Sequence, residues 1–195
     1  MKKILIATSN KGKVEEFRAL LAGYDLELLT PTDIGLSLEV DEDGTTYEEN
    51  AGKKALAYSL ASGLISIADD SGLEVNVLDG APGLYSARFS PKKGATDADR
   101  RQYLLEQCAG KPKPWKALFH ATVAIGYPDG RLVFTEGKCY GEIQAAEKGD
   151  CGFGYDPIFA IPELSRTMAE LSMAEKNEIS HRALAVKKAI PYLIG

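Results

Sequence analysis

The residues best suited to chemistry are the adjacent carboxylates Asp69 and Asp70, followed by Ser71 and Gly72. Two like charges resist sharing a low-dielectric site unless a cation or a proton stands between them. The apolar run Leu64-Ile65-Ser66-Ile67-Ala68 before them reads as a buried strand. The pair is therefore expected where that strand ends and a loop begins, a usual place for a divalent metal or a general base. The rival reading is a plain acidic turn, since Asp, Ser and Gly are turn residues.

Three other stretches carry cations or exposed polar groups. Thr8-Ser9-Asn10-Lys11-Gly12-Lys13 joins a short strand, Lys3 to Ala7, to a helix whose apolar face is Val14, Phe17, Leu20 and Leu21. A strand, a polar turn and a helix N-terminus bring backbone N–H groups to an anion, and Ser9 or Asn10 also suits a helix cap. Val14 stands where a P-loop needs Ser or Thr, so the stretch is not a Walker motif. Lys11 and Lys13 sit near the positive end of a helix, where cations are disfavoured, and that favours phosphate binding. The second stretch is the acidic segment Glu39 to Gly44, followed by Thr46-x-x-Glu49, a capping box opening a helix to about Ser62. On this helix Tyr47, Asn50 and Lys54 share one face, so an acidic loop feeding an inward lysine suits a metal–phosphate site. Arg88, among small and aromatic residues, suits phosphate pairing.

The third stretch is Gly152-Phe153-Gly154-Tyr155-Asp156-Pro157. Its glycines let the backbone bend and present a ring, and an exposed ring beside free backbone groups is a base-stacking platform. The alternative is a tight turn with Phe153 or Tyr155 folded into the core. Toward the C-terminus, Thr167-x-x-Glu170 and Ser172-x-x-Glu175 are capping boxes. A single final helix is expected from about Met173 to Ala189, with Lys176, Ser180 and His181 near one stripe and Arg182 beside them. Such a group suits a base edge or a phosphate; a solvated face with salt bridges to Glu175 and Glu178 is the plainer reading.

The remaining elements must position these residues. Leu26 to Leu29 reads as a strand stopped by Pro31, and Leu73 to Leu78 as a strand leaving the acidic pair. Thr96-x-x-Asp99 caps a helix ending near Gly110. Lys111-Pro112-Lys113-Pro114 is the natural connector, placing a lobe boundary near 111–116. Beyond it a long strand from Ala117 to Tyr127, the turn Pro128-Asp129-Gly130 and returning strands form an antiparallel extension, in which His120 reads as structural.

Composition narrows the function classes. The chain has 195 residues, 45% hydrophobic and 26% charged, enough for one good-sized domain with a real core. A formal net charge of −5 argues against a nucleic-acid-binding surface. Three widely spaced cysteines without a C-x-x-C pair suit a reduced compartment. The apolar start ends within four residues at Thr8, too short for a signal peptide, and no stretch approaches membrane-spanning length. A cytoplasmic protein is expected, with no nucleic-acid or membrane partner.

Taken together, seven motifs resemble the inosine triphosphate pyrophosphatase family, which hydrolyses noncanonical purine nucleoside triphosphates. They are Thr8-Ser9-Asn10-x-Gly12-Lys13, Glu49-Asn50-Ala51-x-x-Lys54-Ala55, Ala68-Asp69-Asp70-Ser71-Gly72-Leu73, Gly80-Ala81-Pro82-Gly83, Ser86-Ala87-Arg88, Gly152 to Phe159, and Glu175-Lys176-Asn177-x-Ile179-Ser180-His181-Arg182. The resemblance implies an elongated, two-lobed α/β fold around a long mixed sheet, with the active site in the cleft between lobes. It implies a single domain over 1–195, a homodimer, dependence on Mg²⁺, and hydrolysis between the α and β phosphates. By the same resemblance Asp70 is the general base and a metal ligand, and Glu42 the second metal carboxylate. Ser9, Asn10, Lys13 and Lys54 resemble the triphosphate-binding set with Ser71 beside them, Lys11 falls on a position that varies, and Thr8, Lys11, Gly12 and Arg88 are further substrate-binding candidates. Phe153, Gly154, Tyr155, Asp156, Lys176, His181 and Arg182 fall to base and phosphate recognition. The rivals are a Maf-like pyrophosphatase acting on modified or pyrimidine nucleotides, against which the Gly152–Asp156 and Ser180–Arg182 motifs weigh, and a noncatalytic nucleotide sensor, which needs no Asp69-Asp70 pair.

Overall fold

The apolar run at 64–68 does not stop at the carboxylates. In the computed structural model, which describes residues 1–195, one uninterrupted strand, β3, spans Ile65–Val75 and carries Asp69, Asp70, Ser71 and Gly72 in its middle. The expected strand end and the separate departing strand are thus one element. Backbone pairing on a central strand outweighs the turn preference of Asp, Ser and Gly, since turn propensity yields to tertiary context.

The other strands are β1 (Lys2–Ile6), β2 (Leu26–Leu29), β4 (Trp115–Gly126), β5 (Leu132–Ile143), β6 (Phe159–Ile161) and β7 (Arg166–Thr167). They form a seven-stranded sheet in the order β2-β1-β3-β4-β5-β6-β7. β1 runs parallel to both β2 and β3, while β6 is antiparallel to β5 and β7, so the sheet is mixed. The helices are α1 (Lys11–Leu20), α2 (Tyr47–Ser62), α3 (Asp97–Cys108), α4 (Met173–Ile179) and α5 (His181–Ile194). The expected α/β class holds.

The chain forms two compact units. The first holds Met1–Asp70, Ala121–Gly137 and His181–Gly195; the second holds Ser71–His120 and Lys138–Ser180. The divisions fall inside β3, between the halves of β4, inside β5 and between α4 and α5, because long strands serve both units. The expected single C-terminal helix is likewise broken at Ser180, whose ψ of 151° is extended. No helix is long and apolar enough to cross a membrane.

In the first unit, alternation along β1 supplies both faces of the sheet. Ile4 and Ile6 pack with Phe17 of α1, with Leu21 just after it, with Ile67, and with Ala185, Val186 and Ala189 of α5. Leu5 and Ala7 pack on the opposite side with Ala51 and Ala55 of α2 and with Ala68. Asn10 caps α1 by accepting the Lys13 N–H at 3.1 Å, and Thr46 caps α2 by accepting the Glu49 N–H at 3.1 Å. In the second unit, Leu73 and Val75 join Leu104, Trp115, Phe119, Tyr155 and Phe159 in one core, where the rings of Phe119 and Phe159 lie 4.3 Å apart. Cys108 and Cys139 are buried there and Cys151 is exposed, all as free thiols.

Gly137 lets β5 run directly against the start of α5. A Cβ there would collide with the His181 carbonyl oxygen and stand 2.6 Å from the Ala185 nitrogen. Gly137→Ala is therefore expected to lower unfolding free energy by about 1–3 kcal/mol through overpacking against backbone. A urea midpoint equal to the unmodified protein's would contradict this reading of the contact.

Candidate active site

Strand alternation turns Asp69 and Asp70 to opposite faces of the sheet. Asp69 follows Ile67 onto the α1–α5 side and Asp70 follows Ala68 onto the α2 side. Two like charges adjacent in sequence thereby meet different surroundings.

Asp69 is fully buried. Arg182, at the second position of α5, donates to Asp69 Oδ2 from Nε at 2.9 Å and lies 2.9 Å from it through Nη2. Its Nη1 donates to Glu16 of α1, which is also buried. Lys13 Nζ stands 3.1 Å from Asp69 Oδ1. Burial by itself would raise the carboxyl's pKa, but the field of Arg182, then of Lys13 and Lys54, overrides it and holds Asp69 below the ordinary carboxylate range. Burial also pulls the Lys13 ammonium down, and Asp69 opposes that fall. Asp69 has cations on both oxygens and serves as an ionic anchor.

Asp70 is different. Its Oδ2 accepts the Asn50 Nδ2–H at 2.9 Å. Burial raises its pKa; Lys54, the Asn50 bond and Lys13 counter this in part, and Glu42 adds to the rise. A buried carboxylate with raised proton affinity, beside two lysines, has the character of a general base. Lys54 Nζ donates to the backbone oxygen of Asp69 at 2.8 Å and to Glu42 Oε2 at 3.0 Å. The Glu42 charge disfavours ionisation of Asp70, and a divalent cation beside two carboxylates relieves such repulsion. No cluster of three or more His, Cys, Asp or Glu side chains is placed for a metal. Mg²⁺ takes one or two protein carboxylates and completes its shell with water and phosphate. Glu42 and Asp70 fit such an ion.

The α1 N-terminus lies in the same unit. The Asn10 N–H donates to Thr8 Oγ1 at 3.2 Å, fixing the turn that opens the helix. Ser9 and Lys11 are exposed and Gly12 is in the first helical turn.

A second group belongs to the second unit. Lys176 Nζ and Asp156 Oδ2 form a buried ion pair at 2.6 Å, and the same oxygen accepts the Phe153 N–H at 2.9 Å. The Lys176 ammonium stands 5.3 Å from the centroid of the half-buried Phe153 ring. Gly152 has φ +77°, and a Cβ there would strike Asp156 Oδ2. The loop thus folds tightly over the ion pair and presents the ring.

Several of the expected residues make contacts within the protein as well. Arg182 directs its guanidinium to Asp69 and Glu16, not to an open recognition surface. Tyr155 is a core residue: its ring is buried, and its hydroxyl donates to the Ser86 carbonyl at 2.9 Å. Arg88 lies over the exposed Tyr85 ring at 5.3 Å. His181 is buried at the first position of α5, and Ser71 is half-buried on β3. Glu16 is not among the expected site residues, and Asn50 and Asp69, both singled out in the sequence, carry no separate role there; all three hold residues that do. A buried Glu three residues after Lys13 was the available signal, since it falls on the apolar side of α1 beside Phe17.

A mixed α/β sheet bearing a carboxylate- and lysine-lined site at a helix N-terminus, with a separate aromatic loop over an ion pair, defines the class. The model of the Ham1 family matches residues 4–192, and the chain belongs to that family. It is 46% identical to the dITP/XTP pyrophosphatase of Desulforamulus reducens, covering 98% of this chain and 95% of that one. It is 45% identical to the dITP/XTP pyrophosphatase of Desulfotalea psychrophila, covering 98% and 86%. Among solved structures it resembles a HAM1 protein from Coxiella burnetii with a TM-score of 0.88 and 37% identity, covering 99% and 98%.

The depressed pKa of Asp69 gives a signed pH dependence. A carboxyl whose folded-state pKa lies below its ordinary value of 3.8 stabilises the fold above that pH and loses the contribution as pH falls through the folded value. Without metal, Asp69→Asn is expected to cost about 3 kcal/mol near neutrality, the scale of a broken buried ion pair. The gap to the unmodified protein should stay level at neutral pH and narrow only in acid below the ordinary value. Thermal melts across pH check this, and a gap that widens in acid reverses the sign.

Proposed function

We propose that this protein is a nucleoside triphosphate pyrophosphatase that hydrolyses the triphosphates of inosine, deoxyinosine and xanthosine to the monophosphate and pyrophosphate. The observation that carries this is Asp70: a buried carboxylate of raised proton affinity, held by Asn50 and flanked by Lys13 and Lys54. The relatives' name, dITP/XTP pyrophosphatase, at 45–46% identity over nearly the whole chain, supports the same substrate class.

Lys13, Lys54 and the N–H groups at the start of α1 neutralise and orient the triphosphate. Glu42 and Asp70 would hold Mg²⁺, which would supply charge neutralisation on the phosphate oxygens. Asp70 accepts the proton of a water that attacks the α phosphorus; the bond from that phosphorus to the bridging oxygen breaks and pyrophosphate leaves. Thr8, Ser9 and Ser71 are polar groups for the phosphate oxygens, and Arg88 is an additional cation for them. Phe153 and Gly154 form the stacking surface for the purine. Lys176, held by Asp156, is a donor for the C6 oxygen of hypoxanthine or xanthine; adenine presents an amino group there and leaves the donor unmatched. His181 is a further recognition residue; Tyr155 acts through the core of its unit and Arg182 through Asp69. The working form is a cytoplasmic homodimer that requires Mg²⁺.

The test is a panel of inosine, xanthosine, guanosine, adenosine and thymidine triphosphates with and without Mg²⁺, with products separated. Monophosphate and pyrophosphate from the inosine and xanthosine compounds only, with Mg²⁺ present, is the expected result. Orthophosphate and diphosphate would place the attack at the γ phosphorus and overturn it. Asp70→Asn should lower kcat by roughly 10²–10⁴-fold, the range of a lost general base, with nucleotide affinity largely kept. A near-normal rate in that variant removes Asp70 from the base role.

A further inference from the structure

The loop that carries Phe153 is held by a second set of side chains. Gly154 lies in the left-handed region, with φ +61°, and both polar atoms of its backbone are taken by one helix. Its N–H donates to Asp97 Oδ2 at 2.9 Å, and its carbonyl accepts from Arg101 Nη1 at 2.8 Å. Asp97 and Arg101 sit one turn apart on α3, on the same side of the helix. Arg101 is itself fixed by a two-pronged ion pair, Nε to Glu147 Oε1 at 2.8 Å and Nη2 to Glu147 Oε2 at 2.9 Å. Asp97 Oδ1 accepts from Arg100 Nη1 at 2.6 Å. The Thr96–Asp99 capping box sets where the helix starts and so where Asp97 points.

We infer that Asp97 and Arg101, braced by Glu147, form a clamp on the Gly154 peptide that sets the orientation of Phe153 and thereby the enzyme's discrimination among purine bases. The inference rests on the function proposed above and deepens it. Phe153 is gripped on both sides: its own N–H goes to Asp156, on the Lys176 side, and the next peptide goes to α3. An aromatic platform selects a base only if the ring and the donor beside it keep a fixed mutual geometry, since a site loose by about an ångström loses much of its selectivity. Lys176 and Asp156 fix the donor; the α3 clamp fixes the ring. Arg101 has the bidentate, planar geometry for this task, and a lysine reproduces only part of it. Neither Asp97 nor Arg101 takes part in the lysine–carboxylate group of the first unit, so the clamp acts on base recognition and not on phosphate chemistry. Both are positioning residues.

The test compares the full-length protein with Arg101→Ala and Arg101→Lys. Hydrogen exchange is followed in peptides covering 150–156, together with kcat, KM, selectivity for deoxyinosine over deoxyadenosine triphosphate, and inhibition by pyrophosphate. In Arg101→Ala, exchange at Gly154 should speed up roughly tenfold, and KM for inosine triphosphate should rise by roughly tenfold, the scale of a lost charged hydrogen bond. Selectivity should fall in parallel, with kcat and pyrophosphate inhibition near their original values. Arg101→Lys should recover part of both. Unchanged exchange overturns the clamp. Faster exchange with unchanged KM and selectivity overturns its link to discrimination, as does a parallel loss of kcat and pyrophosphate binding, which is the mark of general destabilisation. An unmodified protein that makes no monophosphate from inosine triphosphate refutes the proposed function itself, and the discrimination claim falls with it, while the exchange data still decide whether the clamp exists.

Discussion

The ion pair between Arg182 and Asp69 is the constraint from which the first unit's chemistry follows. It joins the first turn of α5 to the middle of β3, and through Glu16 it takes in α1 as well. Lys13 then leans on the free side of the same carboxylate, and Lys54 takes its backbone oxygen. Buried ion pairs of this kind add little net stability, because desolvation offsets the attraction. Their effect is on position: a buried Arg and Asp tolerate almost no displacement without leaving a charge unmatched. Both lysines therefore inherit a fixed place from a residue that never needs to meet a ligand.

Asp70 depends on this indirectly. The strand that holds Asp69 in the charge network holds its neighbour on the other face, where there is an amide, a lysine and a second carboxylate. Burial pushes both adjacent aspartates the same way, and the charges around each give them opposite shifts. One is flooded with positive charge and is locked as an anion. The other keeps a higher proton affinity, which is the property a base or a metal ligand uses. The separation of tasks comes from the twofold period of a β-strand and needs no loop.

The second unit solves a different problem with the same means. A recognition loop rich in glycine is free to bend, and that freedom has to be removed for the ring to be useful. Asp156 and Lys176 do this from the core side, and α3 does it at Gly154. The Tyr155 hydroxyl, bonded to the Ser86 carbonyl, ties the loop to the segment that follows β3 in the same unit. Flexible sequence and rigid placement are compatible because the side chains that restrain the loop come from elsewhere in the chain.

By itself the sequence determined the class of the fold, the helices at 11–20, 47–62 and 97–108, their capping residues, and which stretches carry the chemistry. These are local properties: periodicity, caps and glycine placement act over a few residues. The tertiary structure decided what each charged side chain faces. It made Asp69-Asp70 the middle of a strand, because central pairing overrides turn preference. It split the last helix at Ser180, so that Arg182 turned inward to Asp69, and it buried the Tyr155 ring. It also recruited Glu16, Asn50, Asp97 and Arg101, whose partners lie between about 20 and 166 positions away in the chain. No local pattern encodes such pairings. They exist because the sheet brings distant segments within hydrogen-bond reach, and a buried charge must then find its counterpart there.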